Sequence, residues 1–554
     1  MLKKTLWFLC LFLCSMLNLY MMHRFQAWEG IFELGGNDVS WARAWFSILL
    51  DVTVLFALSL PLTGFRLRGS LLLCFYLSLA LALCNVLYGR FFHLYFSPLL
   101  LLEWRNASDS SLITTVLAGA QWKDLYFPLA EIVFFLIWRR SKDQVGAWIP
   151  SLAILYGFFG LFLAIAPKTS DDFLHNKSLT ELYPNSTTFQ IGLMRYFKAE
   201  CERLGTTTLS QERQEEIRAF CEDRRGRVSG RTAAPGIENL IFILVESYST
   251  ASCGLTVDGK EITPFLNGLR RKENVYFNGH MQENIVNGES SDGQIIYMTG
   301  LLPLRKGVTV SLARNNILPG LPAQAGYSPQ QSRILVPTNP TLWQQEQMNI
   351  AYGLGSCYSY KTYPWEGEYF PYLEDPRVFS YAAQLDSASA KPFFSLVLTL
   401  SMHSPYTEPR CKDFTLADER LPEPYRNYLI DCHMTDQAIG EYFAHLEQSG
   451  LLDKSLVVIT GDHAPHTPYL EMEGRVSEEL PLYIVNGGFD PQSARQDTIQ
   501  QVDVYTSILD ILGSDAPWRG IGHSILSPDY TGISEDSWQV SEDIILSDYF
   551  RVNR

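Results

Sequence analysis

Glu238-Asn-Leu-Ile-Phe-Ile-Leu-Val-Glu246-Ser reads as a strand buried on both faces that ends on a carboxylate. Six consecutive apolar residues, Leu240 to Val245, leave no polar face for solvent. In an open α/β sheet, ligands bind outside the carboxyl ends of the strands. Glu246 is therefore placed as a metal ligand or a catalytic acid. An acid after a strand also serves to cap the next helix, and the strand alone leaves both readings open. The residues downstream decide between them.

From Glu238 onward apolar strands alternate with amphipathic helices, the pattern of an α/β sheet with helices on both faces. Strands are predicted at 239–246, 393–400, 455–460 and 480–485, and helices at 264–272, 425–449 and 501–512. Three of these strands end on polar groups suited to one site. Glu246 follows the first, Ser401-Met-His403-Ser-Pro-Tyr406 the second, and Gly461-Asp462-His463-Ala-Pro-His466 the third. Glu and Asp-His together offer O, O and N ligands, which suits Mn²⁺, Mg²⁺ or Zn²⁺. An isolated Gly-Asp-His is a weak signal, because a histidine is more often a core or surface residue than a ligand. Its place directly after the apolar run Leu456–Ile459 strengthens it.

A fourth element is Asn287-Gly-Glu-Ser290-Ser291-Asp-Gly-Gln-Ile-Ile-Tyr297. Ser-Ser-Asp opening a predicted helix puts a hydroxyl at a helix N-terminus. There the dipole and free N–H groups favour an alkoxide and hold an anionic phosphoryl or sulfuryl group. Helix capping is the commoner job for such a serine.

Working outward, residues 1–166 hold long apolar runs with few charges. They carry 12 Lys and Arg against 9 Asp and Glu, a balance of +3, so the chain's net −15 places −18 on residues 167–554. That acidity argues against nucleic acid as a partner, which wants a basic face, and it suits a hard divalent cation. Five segments are apolar enough to span a bilayer: Leu6–Met22, Ala44–Thr63, Ser70–Leu87, Leu125–Trp138 with some upstream extension, and Trp148–Ala166. No small-residue cleavage site follows the first, so it is expected to be retained. Lys3 and Lys4, Arg66 and Arg68, then Arg139, Arg140 and Lys142 flank the spans in every second loop. The positive-inside rule puts these clusters in the cytoplasm. An odd number of spans then places residue 167 onward outside a bacterial-type cytoplasmic membrane. Asp124 and Glu131, in or beside the fourth span, are expected to make bundle-facing hydrogen bonds.

The chain thus divides into a transmembrane domain (1–166), a connector (167–235) and an extracytoplasmic catalytic domain (236–554). Within the connector Phe189–Phe197 and Gln211–Glu222 look helical, expected along the membrane surface, and Gly226 to Pro235 is a linker. None of the ten cysteines forms a CxxC, which argues against structural zinc. Cys201 with Cys221, and Cys411 with Cys432, are candidate disulfides in an exported domain, with free thiols the alternative.

Taken together, the set resembles the lipoteichoic acid synthase branch of the sulfatase/alkaline-phosphatase superfamily. The likeness lies in Glu after the first strand, Gly-x-Ser-Ser-Asp about forty residues on, Ser-x-His-x-Pro and Gly-Asp-His. Five spans before an extracytoplasmic domain match that branch, as does Val502-Asp-Val-Tyr-Thr-Ser-Ile-Leu-Asp-Ile-Leu-Gly513 near the end. The resemblance implies that Glu246, Ser290, Asp462 and His463 bind one divalent metal, most often Mn²⁺. It implies Ser290 as the nucleophile where relatives usually have threonine, with Ser291 the rival. His403 would contact the transferred group or act as general acid, and Trp343 would line the substrate region. Relatives carry an arginine two residues after that tryptophan and a histidine several residues before it. Here Gln345 and Val336 stand instead, which argues against a polyglycerolphosphate substrate.

The expected activity is transfer of a phospho-alcohol headgroup, phosphoglycerol or phosphoethanolamine, from a membrane lipid donor to an extracytoplasmic glycan or lipid acceptor through a covalent serine intermediate. A phosphodiesterase or sulfatase-type hydrolase of the same fold is the alternative. The absence of a Cys/Ser-x-Pro-x-Arg motif after the first strand counts against a formylglycine sulfatase. A non-enzymatic membrane sensor or scaffold is the third reading, and the presence of all four presumed ligands argues against it.

Overall fold

The computed structural model describes residues 2–28, 41–92, 95–96, 98, 120–141, 192–202, 208–226, 236–305, 308–338, 340, 342–359, 362–363, 373–472 and 474–552. These fall into two compact units, one ending at residue 202 and the other beginning at 208.

The first unit is helical. Lys4–Ala27, Ala44–Leu62 and Leu67–Arg90 are long and apolar enough to cross a membrane. The fourth expected span corresponds to the helix Tyr126–Arg140, whose 15 residues extend about 22 Å, short of a hydrocarbon core of roughly 30 Å. The fifth, Trp148–Ala166, lies outside the described residues, so three of the five expected spans are seen as such. Both acids near the fourth helix face neighbours: Asp124 takes two bonds of 2.7 Å from Arg90, and Glu131 accepts from the Tyr76 hydroxyl at 3.0 Å. The helix Leu193–Glu202 belongs to this unit, its first N–H groups donating to Asp51 at 2.8 and 2.9 Å.

The second connector helix, Gln211–Gly226, differs from expectation. Its charges predict a solvated rod on the membrane surface, yet Ile217 is fully buried in the second unit's core and Arg213 pairs with Asp543 at 2.8 Å. One apolar position among many charges is enough to seat it. Cys221, Cys411 and Cys432 are free thiols, so the Cys411–Cys432 bridge is not made.

The second unit is built on an eight-stranded sheet. In chain order its strands are β1 (Asn239–Val245), β4 (Val275–Gln282), β5 (Ser332–Val336), β6 (Ser356–Ser359), β7 (Phe394–Leu398), β8 (Ser455–Gly461), β9 (Leu480–Val485) and β10 (Ile499–Gln500), with β2 (Thr256–Val257) and β3 (Lys260–Glu261) forming a separate hairpin. The order is β10-β4-β9-β8-β1-β7-β5-β6. β1 pairs in parallel with both β7 and β8, while β9 runs antiparallel between β8 and β4, so the sheet is mixed. Alternation along β1 divides the core: Leu240, Phe242 and Leu244 face one cluster, Ile241, Ile243 and Val245 the other. Helices Ser290–Thr299, Asp503–Ile511 and Glu535–Ser547 cover the first face, and Asp375–Ala388 and Glu423–Gln448 the second. Burial on both sides is why β1 lacks a polar residue along Leu240–Val245.

This arrangement makes β1 the strand most sensitive to truncation. Phe242, fully buried, meets the Tyr297 ring edge-on with centroids 5.4 Å apart. Phe242→Ala is expected to lower stability by about 3–5 kcal/mol, read as an earlier denaturation midpoint. Ile350→Ala, at a position 79% exposed, leaves the midpoint in place. An unchanged midpoint for Phe242→Ala would deny β1 its place in the core.

Candidate active site

Parallel neighbours deliver their carboxyl ends to the same edge, so the residues just past β1, β7 and β8 meet there. Glu246 ends β1, is 2% exposed, and has its N–H bound to Thr399 Oγ1 at 2.9 Å beyond β7. Its Oε1 accepts from the Ser247 hydroxyl at 2.8 Å. Asp462 comes directly after β8; its N–H donates to the Val245 carbonyl at 3.1 Å, and its Oδ1 accepts the N–H of Ser247 at 2.9 Å and of His463 at 2.8 Å. These bonds lock the two strand ends to each other.

Ser290 opens the helix Ser290–Thr299 that lies against this edge. Its hydroxyl is 3.2 Å from Glu246 Oε2 and 3.3 Å from His463 Nε2. Ser291 is spent elsewhere: its hydroxyl donates to the Gly288 carbonyl at 2.6 Å. Of the two serines, Ser290 is the one facing the acids. The helix comes this close because residue 293 is glycine, where a Cβ would sit 2.6 Å from the Asp462 carbonyl oxygen.

Ligand atoms of Glu246, Asp462 and His463 lie within 4.8 Å of one another. His463 Nδ1 contacts the Ala464 carbonyl at 2.7 Å. A carbonyl only accepts, so Nδ1 carries a hydrogen, and Nε2 is the nitrogen that faces Glu246 and Ser290, a donor while the ring is charged and a ligand once that proton leaves. Two carboxylates, one imidazole and one hydroxyl, nearly closed to solvent, suit a divalent cation. The electrostatics agree. Burial alone would raise Glu246, but the His463 hydrogen bond and the charges of His403 and His463 outweigh it and hold the carboxyl at about 2. Burial, then the charge of Glu246, pushes Asp462 up to about 7. Burial disfavours a charged His463, yet Asp462, Glu246 and Glu289 raise it well above its usual range. The cluster is short of positive charge.

His403, after β7, sits in a loop pinned by Arg410, which donates to the carbonyls of Ser401 at 2.7 Å and His403 at 2.9 Å and pairs with Asp431. Its Nδ1 donates to the Ser404 carbonyl at 2.5 Å, so Nε2 is the nitrogen left to act. Trp343 lies beyond the carboxyl end of β5, packed partly buried on the core, with positive φ at Trp343 (49°) and Gln344 (54°). Gln345 donates its amide to Asn349 at 2.9 Å, and Val336 is buried in β5.

Sequence reasoning alone assigns no role to several other residues of this edge. Asp292 Oδ2 accepts the N–H of Val286, Asn287 and Gly288 at 3.0, 3.0 and 2.8 Å, bracing the turn before Ser290. Gln501 donates to the Asp462 carbonyl at 2.7 Å, and Glu283 accepts the Ala464 N–H at 2.8 Å. Glu289 and His466 approach each other beside His463. The spacing Asp-His-x-x-His is a visible signal for His466; Gln501 and Thr399 have none.

Residues 238–514 match the sulfatase family. Lipoteichoic acid synthase 2 of Bacillus subtilis is 26% identical over 311 residues, 53% of this chain and 48% of that protein. Lipoteichoic acid synthase of Staphylococcus aureus is 25% identical over 421 residues, 72% of this chain and 63% of that protein. The chain thus spans about half to under two thirds of the length of these relatives. Among solved structures, the integral membrane protein lipooligosaccharide phosphoethanolamine transferase A of Neisseria meningitidis shares the fold over 93% of this chain and 97% of its own, with a TM-score of 0.53 at 15% identity.

Protons must leave both Asp462, whose carboxyl sits near 7, and His463 Nε2, raised well above its usual range, before the two can ligate. Divalent-metal binding is therefore expected to strengthen as pH rises toward and through 7, by up to about tenfold per pH unit for each proton released. Calorimetric titration in buffers of different ionisation enthalpy counts the protons released. Binding indifferent to pH would remove Asp462 from the ligand set, and so would full metal content in Asp462→Asn.

Proposed function

The chain belongs to the sulfatase family, and within it we propose a membrane-anchored, metal-dependent transferase that moves a phospho-alcohol headgroup from a lipid donor to an extracytoplasmic glycan or lipid acceptor. The observation that carries this reading is the Ser290 hydroxyl at a helix N-terminus, within 3.2–3.3 Å of both Glu246 and His463. The names of the relatives, synthases of lipoteichoic acid and a phosphoethanolamine transferase, favour transfer over hydrolysis. Apolar N-terminal helices and the likeness to an integral membrane protein support the anchoring. Loop charges, taken with the five apolar segments of the sequence, support placing the catalytic unit on the outer, periplasmic-type side.

In this proposal Glu246, Ser290, Asp462 and His463 hold one divalent cation, Mn²⁺ the first candidate and Mg²⁺ or Zn²⁺ the others. Bound there, the cation supplies Lewis acidity that lowers the hydroxyl pKa and offsets charge on the transferred group. Ser290, deprotonated, attacks the phosphorus of the lipid headgroup. The Ser290 O–P bond forms and the P–O bond to the lipid alcohol breaks. His403 Nε2 gives the departing alkoxide a proton. An acceptor hydroxyl then attacks the phosphoserine, passes its proton back to His403, and frees Ser290. Trp343 flanks the headgroup. Gln345 and Val336, in place of two phosphate-facing groups, argue against a polyglycerolphosphate substrate.

Ser290→Ala is expected to abolish turnover, by on the order of 10⁴-fold or more, and to prevent trapping of label from a headgroup-labelled phospholipid. Ser291→Ala loses only the hydroxyl's bond to the Gly288 carbonyl, about 1 kcal/mol, and keeps the labelled intermediate. Full activity in Ser290→Ala with loss in Ser291→Ala would move the nucleophile by one residue. Label that ends only in free headgroup phosphate, whatever alcohol is added, would make the protein a hydrolase.

A further inference from the structure

We propose that Glu289 and His466 form a second divalent-cation site across the His463 ring from the first. Glu289 Oε2 lies 3.4 Å from His466 Nε2. Two ligand atoms bound at about 2.0–2.1 Å to one tetrahedral zinc are separated by roughly 3.3 Å, so the pair is spaced as neighbours on a single ion. Glu289 is 9% exposed, and its Oε2 accepts no hydrogen bond among the described residues. Its nearest described donors are ring nitrogens at 3.4 and 3.8 Å, too distant or misaligned to satisfy a buried carboxylate oxygen, which a cation bound between Glu289 and His466 would answer.

His463 stands between the two sets without serving both. Its Nε2 faces Glu246 Oε1 at 3.4 Å, whereas its Nδ1, 3.8 Å from Glu289 Oε2, is committed to the Ala464 carbonyl. Among the described residues the second ion thus has one carboxylate and one imidazole, and its other positions are left for water or for oxygens of a phosphate-bearing ligand. His466 is partly open, with 18% of its side chain exposed, which leaves such a ligand a way in. Carboxylate with imidazole suits Zn²⁺ or Mn²⁺ over Ca²⁺. Glu289 precedes Ser290 in the chain, so an ion here adds positive charge where the headgroup phosphate is transferred. That use rests on the proposed function; the binding itself does not.

Metal content of the purified full chain, titrated with Zn²⁺ alone and read by mass spectrometry and calorimetry, tests the site. Glu289→Gln and His466→Gln are each expected to bind one equivalent fewer than the parent and to keep the tighter, first equivalent. Asp462→Asn is expected to lose the tighter equivalent and keep the weaker. Unchanged stoichiometry in either Glu289→Gln or His466→Gln overturns the second site. If Glu289→Gln fails to fold, judged by near-ultraviolet circular dichroism, His466→Gln decides alone. Loss of the weaker equivalent in these variants supports the second site even where Asp462→Asn leaves the metal count intact, an outcome that refutes the first site only.

Discussion

A charged carboxylate buried at the end of the central strand is the constraint on which the second unit depends. Taking an ionised acid out of water costs several kcal/mol unless donors or cations replace the lost solvent. Glu246 is 2% exposed, and its replacements come from elsewhere in the chain: the hydroxyls of Ser247 and Ser290 and the imidazole of His463. Only a strand with parallel partners on both sides can receive them all at one end. β8 brings Asp462 and His463, and β7 brings Thr399, whose hydroxyl fixes the Glu246 backbone. The close approach leaves no room at Gly461, where a Cβ would meet the Tyr248 carbonyl oxygen at 2.2 Å.

The same burial accounts for what is legible in the sequence. β1, β8 and β9 are largely uninterrupted apolar runs because both faces of the sheet are covered, and the residues ending β1 and β8 stand out against them. β4 carries no such signal. Its Val-Tyr-Phe-Asn-Gly-His-Met-Gln has exposed positions and an irregular register against β9 between Asn278 and Met281, so no clean period survives. β5 and β6, of five and four residues, are too short for periodicity to register. The helix Asp375–Ala388 begins at Asp-Pro, which reads locally as a turn, though proline fits the first turn of a helix. For the site, residues next to a strand end could be found from sequence. Glu289 and Gln501 could not, because their importance comes from folding back onto Asp462 and His463.

The two acids around the serine pair do opposite work. Glu289 has φ 45° and ψ −123°, a conformation that costs a non-glycine residue on the order of 1–3 kcal/mol. Asp292, in the first helical turn, gathers the N–H groups of three preceding residues and takes a fourth bond from Thr309 at 3.1 Å. Four bonds to one buried carboxylate can offset strain of that size, since bonds to charged groups contribute about 1.5–3 kcal/mol each.

The reversal at Glu289 therefore persists because Asp292 over-determines the loop leading into it. This matters for a serine in particular. Threonine's methyl restricts χ1, whereas serine lacks that restriction. Here the backbone is fixed instead of the side chain. Ser291 is tied to Gly288, Gly293 is pressed against Asp462, and Ser290 between them points at Glu246 and His463. Rigid backbone on both sides does for Ser290 what a methyl group would otherwise do, and it leaves the hydroxyl's contacts to Glu246 and His463, at 3.2 and 3.3 Å, long enough to be exchanged for tighter ones.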